Sequence, residues 1–310
     1  MNENSADGLL LLDKPSGISS FQALGPLKRI FRGRKIGHAG TLDPAATGLL
    51  VVGVGAGTRL LEFLEGLPKC YRFSVLLGVT TDTYDLEGEI LERRDAEHIT
   101  RQQVEALLPT FVGEISQLPP VYSAIKIEGK RACDRVRAGE TVTLTPRKVR
   151  VTRLEIISFG NGVVTLEMDC SKGTYVRTIA HDIGQALGCG AATDVIRRLS
   201  VGPFLVENAV APDAVQSAAD LLPVEKAVHH LPGIRLRSDS WVGALLHGNA
   251  IPAAGYVPMP LSPFKEASPS GDGWNVDTTC GVFSPEGKLL AVGTLTPLGQ
   301  IQPRKVLHPV

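Results

Sequence analysis

The chain has 310 residues, of which 43% are hydrophobic and 21% are charged, and its 32 basic side chains equal its 32 acidic ones. This composition excludes a mainly disordered chain and supplies enough apolar side chains for a sizeable core. The length predicts one large domain followed by a smaller one, and the zero net charge gives no indication of a polyanionic partner.

In the first part of the chain, strand-like and helix-like patterns follow one another. Residues 9–12 predict a buried strand, and Ser19 or Ser20 is a possible cap for a helix that runs to residue 31 and is interrupted at Gly25-Pro26. A loop over residues 33–48 is expected next. It is followed by a strand at 49–54, a helix near 58–64 and a strand at 71–78.

The middle of the chain predicts more strands, and the end predicts a second domain. Thr100 and Gln103 form a capping-box pattern for a helix through 108. Strands are expected at 123–127, 149–159 and 163–170, the last two joined by a Gly160-Asn161-Gly162 turn, and helices at 175–187 and 192–199. Because no regular βαβ alternation occurs, we predict an α+β fold with a mixed, largely antiparallel sheet and flanking helices. Residues 1–232 form the large domain of this prediction. Residues 233–310, with strands at 282–283 and 289–295, form a small, mostly β domain.

The cysteines and the N-terminus indicate the cellular compartment. The five cysteines are scattered and odd in number, so neither a CxxC site nor a disulfide scaffold is expected. No apolar run approaches the roughly 20 residues that cross a bilayer, and no basic residue precedes residues 9–12 as in a secretory signal. We therefore predict a cytoplasmic protein without a membrane segment.

Charges of one sign cluster along the chain although the total is zero. Residues 14–42 contain no acidic side chain but include Lys14, Lys28, Arg29, Arg32, Arg34 and Lys35, and residues 141–154 are also free of acids. Such segregation predicts a basic face that holds phosphates and weakens with salt, or equally an ordinary solvated surface.

Two enzyme motifs are matched only in part. Gly53, Gly55 and Gly57 follow a predicted strand, but Thr58 stands where the dinucleotide fingerprint needs a third glycine. Ser123 and Lys126 fit the SxxK pattern of penicillin-recognising hydrolases, whose companion motifs are missing. The histidines show no HExxH spacing.

The segment GHAGTLDPAATG, residues 37–48, is the strongest candidate for a functional loop. Its glycines permit close approach by a ligand, and Pro44 biases Asp43 toward an extended backbone. Asp43 is the first acid after residue 13, so neighbouring cations should keep it ionised, as a nucleophile or general base requires. By composition alone, an ordinary Asp-Pro turn is the other interpretation.

This segment resembles the catalytic motif of the TruB family of tRNA pseudouridine synthases. Further blocks occur in the order and spacing of that family over roughly residues 8–205. They are LLLDKPSG (10–17), KCY (69–71), TDTYD (81–85), PPVYSAIK (119–126), CSKGTYVRT (170–178), GCG (188–190) and RRL (197–199).

The resemblance implies an isomerase that converts uridine 55 in the T arm of tRNA to pseudouridine on a flipped-out nucleotide. It implies no cofactor, no metal and no obligate protein partner, and we expect a monomer. The alternatives are a tRNA-binding or folding helper, and a pseudouridine synthase that acts on another RNA under the guidance of a partner complex.

The same resemblance implies roles for individual residues. Asp43 matches the catalytic aspartate, Tyr71 the tyrosine that stacks on uracil, and Arg177 the arginine that pairs with the aspartate. It further implies that His38, Tyr175 and Ile196 contact the nucleotide and that Lys14 supports the catalytic loop.

Other features of the chain fit the resemblance less closely. The C-terminal domain lies where the family carries a PUA-type RNA-binding module. Cys133-Asp134 departs from the residues common in the family, which puts the local RNA contacts in question, and Gly25-Pro26 in the first helix is also unusual.

Overall fold

The computed structural model describes residues 6–123, 125–127, 129–259 and 276–308. The α-helices of these residues are α1 (Gly25–Ile30), α2 (Leu61–Glu65), α3 (Arg101–Leu107), α4 (Ala132–Arg137), α5 (Val176–Ala186) and α6 (Asp239–Leu246). The strands up to residue 131 are β1 (Gly8–Lys14), β2 (Ile36–Ala39), β3 (Thr47–Val54), β4 (Lys69–Leu77), β5 (Val79–Thr81), β6 (Ile90–Arg93), β7 (Gly113–Gln117), β8 (Lys126–Ile127) and β9 (Lys130–Arg131). The later strands are β10 (Arg147–Gly160), β11 (Val163–Cys170), β12 (Ala191–Val201), β13 (Phe204–Leu205), β14 (Gly233–Leu236), β15 (Tyr256–Pro258), β16 (Thr279–Phe283), β17 (Leu289–Leu295) and β18 (Ile301–Val306).

A nine-stranded sheet forms the centre of the molecule. Its main order is β1-β3-β12-β4-β11-β10-β7, with β2 added to β3 and β13 to β12. Neighbouring strands are antiparallel except β12 and β3, which are parallel. Helices flank this sheet, so the predicted α+β class and the mixed, largely antiparallel sheet are confirmed. No helix in the described ranges is long and apolar enough to cross a membrane.

Leucine-rich strands are buried on both faces of the sheet. In β1, Leu9 and Leu11 pack into one hydrophobic cluster, whereas Leu10 and Leu12 pack into another. Successive side chains of a strand point to opposite faces, so a strand covered on both sides needs a continuous apolar run. This explains why residues 9–12 are correctly predicted as a buried strand.

The β10–β11 hairpin also forms as predicted. Asn161 and Gly162 occupy the turn with φ of 54° and 72°. Positive φ at both positions is typical of the two-residue turn that matches the twist of the strands. Beyond the turn, alternate residues of β11 are buried and pack with α5 in one core cluster.

The structure differs from the sequence prediction at residues 192–199, which are strand β12 instead of a helix. The apolar residues of this segment are spaced by three or four positions, as in a helix. In the structure, irregularities in the pairing with β4 lie between Thr193 and Ile196 and between Arg198 and Ser200. Such bulges interrupt the two-residue alternation by which a strand is recognised in a sequence.

Three smaller differences concern the extent of the predicted helices, loops and strands. Pro26 lies in the first turn of α1 and therefore starts this helix, preceded by a 3₁₀-helix at Gln22–Leu24, instead of interrupting a longer one. The predicted loop at 33–48 contains β2, which pairs with β3. Within the predicted strand 123–127, Ser123 lies in a bend, residue 124 is outside the described residues, and only Lys126–Ile127 is a strand.

A second sheet is formed by the C-terminal strands. Its order is β15-β14-β16-β17-β18. The strands expected at 282–283 and 289–295 are β16 and β17, while residues 260–275 and 309–310 are outside the described residues. The strands of this sheet contribute to a separate apolar cluster, which includes Ile234, Val282 and Ile301.

Candidate active site

Asp43 lies in the loop between β2 and β3, and the backbone of this loop is held by buried hydrogen bonds. The Ser20 hydroxyl accepts from the Leu42 amide at 2.9 Å and donates to the Leu42 carbonyl at 3.1 Å. The Ala46 amide donates to the Asp43 carbonyl at 3.1 Å and closes a turn around Pro44. The sequence therefore produces a loop that is tied to the segment before α1, with Asp43 at its tip.

Lys14 supports the same loop through hydrogen bonds to backbone carbonyls. Its ammonium group donates to the carbonyls of Pro15, Ile18 and Pro44 at 2.8, 2.7 and 3.0 Å. Burial lowers the pKa of Lys14 to about 8, and the Asp43 carboxylate opposes this shift. Lys14 thus contacts the backbone next to Asp43, and it does not line the cavity described below.

Arg177 joins two carboxylates and two backbone carbonyls. Its Nη2 lies 2.9 Å from Asp43 Oδ2, and its Nη1 lies 3.3 Å from Asp85 Oδ2. It also donates to the carbonyls of Thr83 and Tyr122, both at 2.9 Å. The arginine side chain is only 5% exposed, while that of Asp43 is 44% exposed. Because Arg177 is buried, it orients the Asp43 carboxylate from the interior side of the site. The carboxylate itself is exposed and remains accessible to a ligand.

A small cavity brings five of the proposed site residues together. It has a volume of about 100 Å³ and is lined in part by Asp43, Tyr71, Tyr175, Arg177 and Ile196. These residues come from the β2–β3 loop, β4, the start of α5 and β12, so four separated segments build it. The cavity joins a carboxylate, an aromatic ring and an apolar wall, which is a suitable set for one planar polar base.

Tyr71 is the aromatic member of this set. It is partly buried on β4, and burial raises the pKa of its hydroxyl, while the nearby Arg198 guanidinium acts in the opposite direction. The hydroxyl is therefore neutral at physiological pH.

Tyr175 is positioned by a buried glutamine. It directly precedes α5, and its amide donates to Gln117 Oε1 at 2.7 Å while its carbonyl accepts from Gln117 Nε2 at 3.0 Å. Ile196 is held on β12 beside the irregular pairing described above. Burial raises the pKa of the Tyr175 hydroxyl as well.

His38 lies on β2 opposite Val52 and is not among the residues that line this cavity. Its Nδ1 atom is buried and has no hydrogen-bond partner among the residues that the structure describes. Burial, followed by the Arg198 charge, lowers the pKa of His38, so the imidazole is neutral at physiological pH.

A wider cleft adjoins the cavity on the other side of Asp43 and Arg177. It has a volume of about 490 Å³ and is also lined by Asp82, Asp85 and Cys133. Asp43 is therefore reached both from the cavity and from the cleft.

Three residues of the site's surroundings were not singled out from the sequence. Asp85 shares Arg177 with Asp43, Gln117 holds Tyr175, and Arg198 is buried on β12, where it pairs with Tyr71. Asp85 and Arg198 do fall within the blocks TDTYD and RRL, but a single sequence does not show which member of a block points inward. Gln117 lies outside these blocks.

Family models match most of the chain up to residue 229. A model described as "TruB family pseudouridylate synthase (N terminal domain)" matches residues 28–176. A second, described as "tRNA pseudouridylate synthase B C-terminal domain", matches residues 177–229.

Curated relatives and solved structures agree with these models. The chain is 40% identical over 295 residues to the tRNA pseudouridine synthase B of Thermobifida fusca, covering 93% of this chain and 94% of that protein. It is 42% identical over 241 residues to the protein of the same name from Dehalococcoides mccartyi, covering 76% and 80%. Among solved structures, "Crystal Structure of a Cbf5-Nop10-Gar1 Complex" matches with a TM-score of 0.72 and 26% identity over 97% of this chain and 85% of that chain.

Proposed function

Because this chain belongs to the TruB family of pseudouridylate synthases, it is an enzyme that isomerises uridine 55 of tRNA to pseudouridine, and we propose that Asp43 is its catalytic residue. The observation that carries this proposal is the contact of the open Asp43 carboxylate with buried Arg177 at 2.9 Å, beside a cavity lined by Tyr71. A base inside a folded RNA must leave its stack before such a residue can reach it, at a cost of a few kcal/mol. The T-arm loop is the substrate element in this proposal.

The isomerisation needs an ionised, accessible carboxylate in each of the roles open to Asp43. These roles are attack on C1′ of the ribose, addition to the base, and removal of a ribose proton. Arg177 forms an ion pair with the Asp43 carboxylate and fixes its direction. Since N1–C1′ is exchanged for C5–C1′ within one nucleotide, nothing is oxidised and the substrate supplies every atom except the exchanged proton.

The remaining site residues have supporting roles in the same proposal. The Tyr71 ring stacks on the uracil and assists departure of the C5 proton, Ile196 forms the apolar wall, and Tyr175 lines the opening. Lys14 holds the loop through Pro44, and His38 contacts the RNA near the target nucleotide. These assignments are supported by the shared cavity for Tyr71, Tyr175 and Ile196, and by the Pro44 hydrogen bond for Lys14.

The Asp43→Asn variant tests the proposal. It keeps the shape of the loop but removes the charge, so pseudouridine formation should fall at least about 1,000-fold while tRNA binding is retained. Release of tritium from tRNA labelled at C5 of uridine measures turnover, and filter binding measures affinity. Glu89→Gln is the matched control, because Glu89 lines the wider cleft and not the cavity.

The same assay separates the two alternatives. A binding or folding helper would release no tritium from the wild-type protein at any affinity. An enzyme that depends on a guiding complex would be inactive on an isolated T-arm hairpin, whereas we expect the purified chain to modify it as a monomer. Near-normal turnover by Asp43→Asn would show that another group carries the chemistry.

We further propose that residues 1–232 form the catalytic domain and that residues 233–310 form a PUA-like RNA-binding module in a cytoplasmic enzyme. The small five-stranded sheet supports this division. Arg304 is exposed on β18, so Arg304→Gln should weaken binding of whole tRNA severalfold and leave binding of a T-arm hairpin unchanged. Equal loss with both RNAs in a filter-binding titration would contradict this role.

A further inference from the structure

Among the residues that the structure describes, Arg198 is the largest side chain that is almost completely buried. It is 1% exposed and lies on β12, where its backbone pairs with Tyr71 of β4 on one side and with Gly48 of β3 on the other. Burial of a charged group is costly unless hydrogen bonds replace the lost water. Hydrogen bonds to backbone carbonyls therefore offset part of the cost of burying this charge.

Its hydrogen bonds reach both ends of the loop that carries Asp43. Nε donates to the Leu49 carbonyl at 2.7 Å, and Nη2 donates to the Gly40 carbonyl at 3.1 Å. Gly40 directly follows β2, and Leu49 is near the start of β3, so one planar group spans the two points where the loop leaves the sheet.

The same guanidinium also lies near the aromatic member of the cavity. Arg198 and Tyr71 face each other in the pairing of β12 with β4, and the Arg198 charge opposes the rise that burial causes in the pKa of the Tyr71 hydroxyl. The loop bearing Asp43 and the side chain of Tyr71 thus both lie next to one buried guanidinium, although they belong to different segments of the sheet.

We propose that Arg198 is a positioning residue, which sets the Asp43 loop relative to the Tyr71 hydroxyl for the isomerisation. The planar fork of arginine serves the two carbonyl acceptors at fixed angles, whereas the single ammonium of lysine does not reproduce that arrangement. This inference rests on the proposed function, but wild-type turnover and the Asp43→Asn result report on that function separately.

The test is a double-mutant cycle of Arg198→Lys and Tyr71→Phe. Pseudouridine formation is measured in single turnover with saturating enzyme, together with tRNA affinity and thermal unfolding. Arg153→Lys is the control, because Arg153 also joins neighbouring strands, through Glu167 and Asp169, but lies away from the cavity.

We expect Arg198→Lys to lower the single-turnover rate by about tenfold or more with tRNA affinity within about threefold of wild type. In Tyr71→Phe, the further loss caused by Arg198→Lys should be at least about fivefold smaller, since the hydroxyl toward which Arg198 sets the loop is already absent. Arg153→Lys should leave the rate unchanged in both backgrounds. A rate within twofold of wild type for folded Arg198→Lys, or losses that multiply in the double variant, would overturn the proposal.

A second measurement needs no Arg198 variant and covers the case in which Arg198→Lys does not fold. Tyr71→Phe removes the hydroxyl beside the guanidinium and leaves this group less constrained, so hydrogen exchange of the amides at 40–49 should become faster. Exchange in the β10–β11 hairpin should stay the same. Unchanged exchange at 40–49 would show that Tyr71 and the loop are not linked through Arg198.

Discussion

The position of Asp43 is determined mainly by contacts of its neighbours in the chain. The backbone of Leu42 is hydrogen-bonded to the Ser20 hydroxyl, and the carbonyl of Pro44 accepts a hydrogen bond from Lys14. The backbone is therefore held on both sides of Asp43. Arg177 then contacts the carboxylate from the buried side. A side chain fixed in this way does not need to be buried itself, which leaves it free to meet a nucleotide.

Asp182, on α5, shows how burial of a carboxylate links stability to pH. It is partly buried, and desolvation raises its pKa from 3.8 to about 6. The folded protein therefore binds this proton more tightly than the unfolded chain. This contribution to stability is complete below about pH 4 and is lost as the pH rises through about 6.

We expect Asp182→Asn to be more stable than wild type at pH 7 by about 1–2 kcal/mol, after allowance for solvent screening. The difference should become smaller toward pH 4 and vanish at about pH 3, because the wild-type carboxyl is then largely protonated in both states. Urea unfolding at several pH values between about 3 and 8 measures this difference. The exposed Glu97→Gln is the control, and a difference that does not vary with pH would contradict the assignment to Asp182.

At the scale of elements, β12 is the strand on which the site depends. It supplies Ile196 to the cavity wall and the buried side chain of Arg198, and it lies between β3 and β4 in the sheet. The parallel pairing of β12 with β3 places the backbone of Arg198 directly against Gly48.

Gly48 is required by this close approach. Its φ is +99°, and a Cβ atom would overlap the backbone oxygen and nitrogen of Arg198. Gly113, at the start of β7, has a similar φ of +106° but open space at the same point. In both alanine variants, the positive φ lowers the free energy of unfolding by about 1–2 kcal/mol. Only Gly48→Ala also forces two strands apart, because its Cβ atom would overlap the backbone of Arg198.

We therefore expect Gly48→Ala to be at least about 2 kcal/mol less stable than Gly113→Ala and to lose activity, because the end of the Asp43 loop moves. Chemical unfolding and single-turnover assays of the two variants measure this. Equal destabilisation would mean that backbone strain alone makes glycine necessary at position 48.

Local patterns predict the elements whose residues have a regular period. The apolar run of β1 and the Asn161 turn are examples, and the glycine-rich segment around Asp43 indicates a functional loop. By contrast, β12 is missed because its bulges remove the alternation, and Arg198 is missed because its acceptors lie far away in the sequence. The roles of the site residues stay predictions; the structure adds that several of them share one cavity.

At the scale of the molecule, the two sheets share one hydrophobic cluster. Leu289, Val292 and Leu307 of the C-terminal part pack in the same cluster as Leu60 and Leu64. Lys305 of β18 also forms an ion pair with Glu62 of α2 at 2.9 Å. The C-terminal sheet is therefore fixed against the part of the molecule that carries Asp43.

The charge distribution of the whole chain leads to the last prediction. Because the net charge is zero, we expect affinity for tRNA to come from local basic segments such as α1 and its continuation, where Arg29 and Arg32 are exposed. Phosphate contacts release counterions, so each contact contributes close to one unit to the slope of log affinity against log salt.

We expect Arg29→Gln and Arg32→Gln each to weaken tRNA binding severalfold at low salt and to reduce that slope by about 1. The rate at saturating enzyme should be unchanged, because neither residue is in the cavity. Arg101→Gln is the control, since Arg101 is an exposed arginine on α3 paired with Glu105. Filter binding over a range of salt concentrations decides the point: if all three variants shift equally, the basic segment is an ordinary solvated surface and tRNA binds elsewhere.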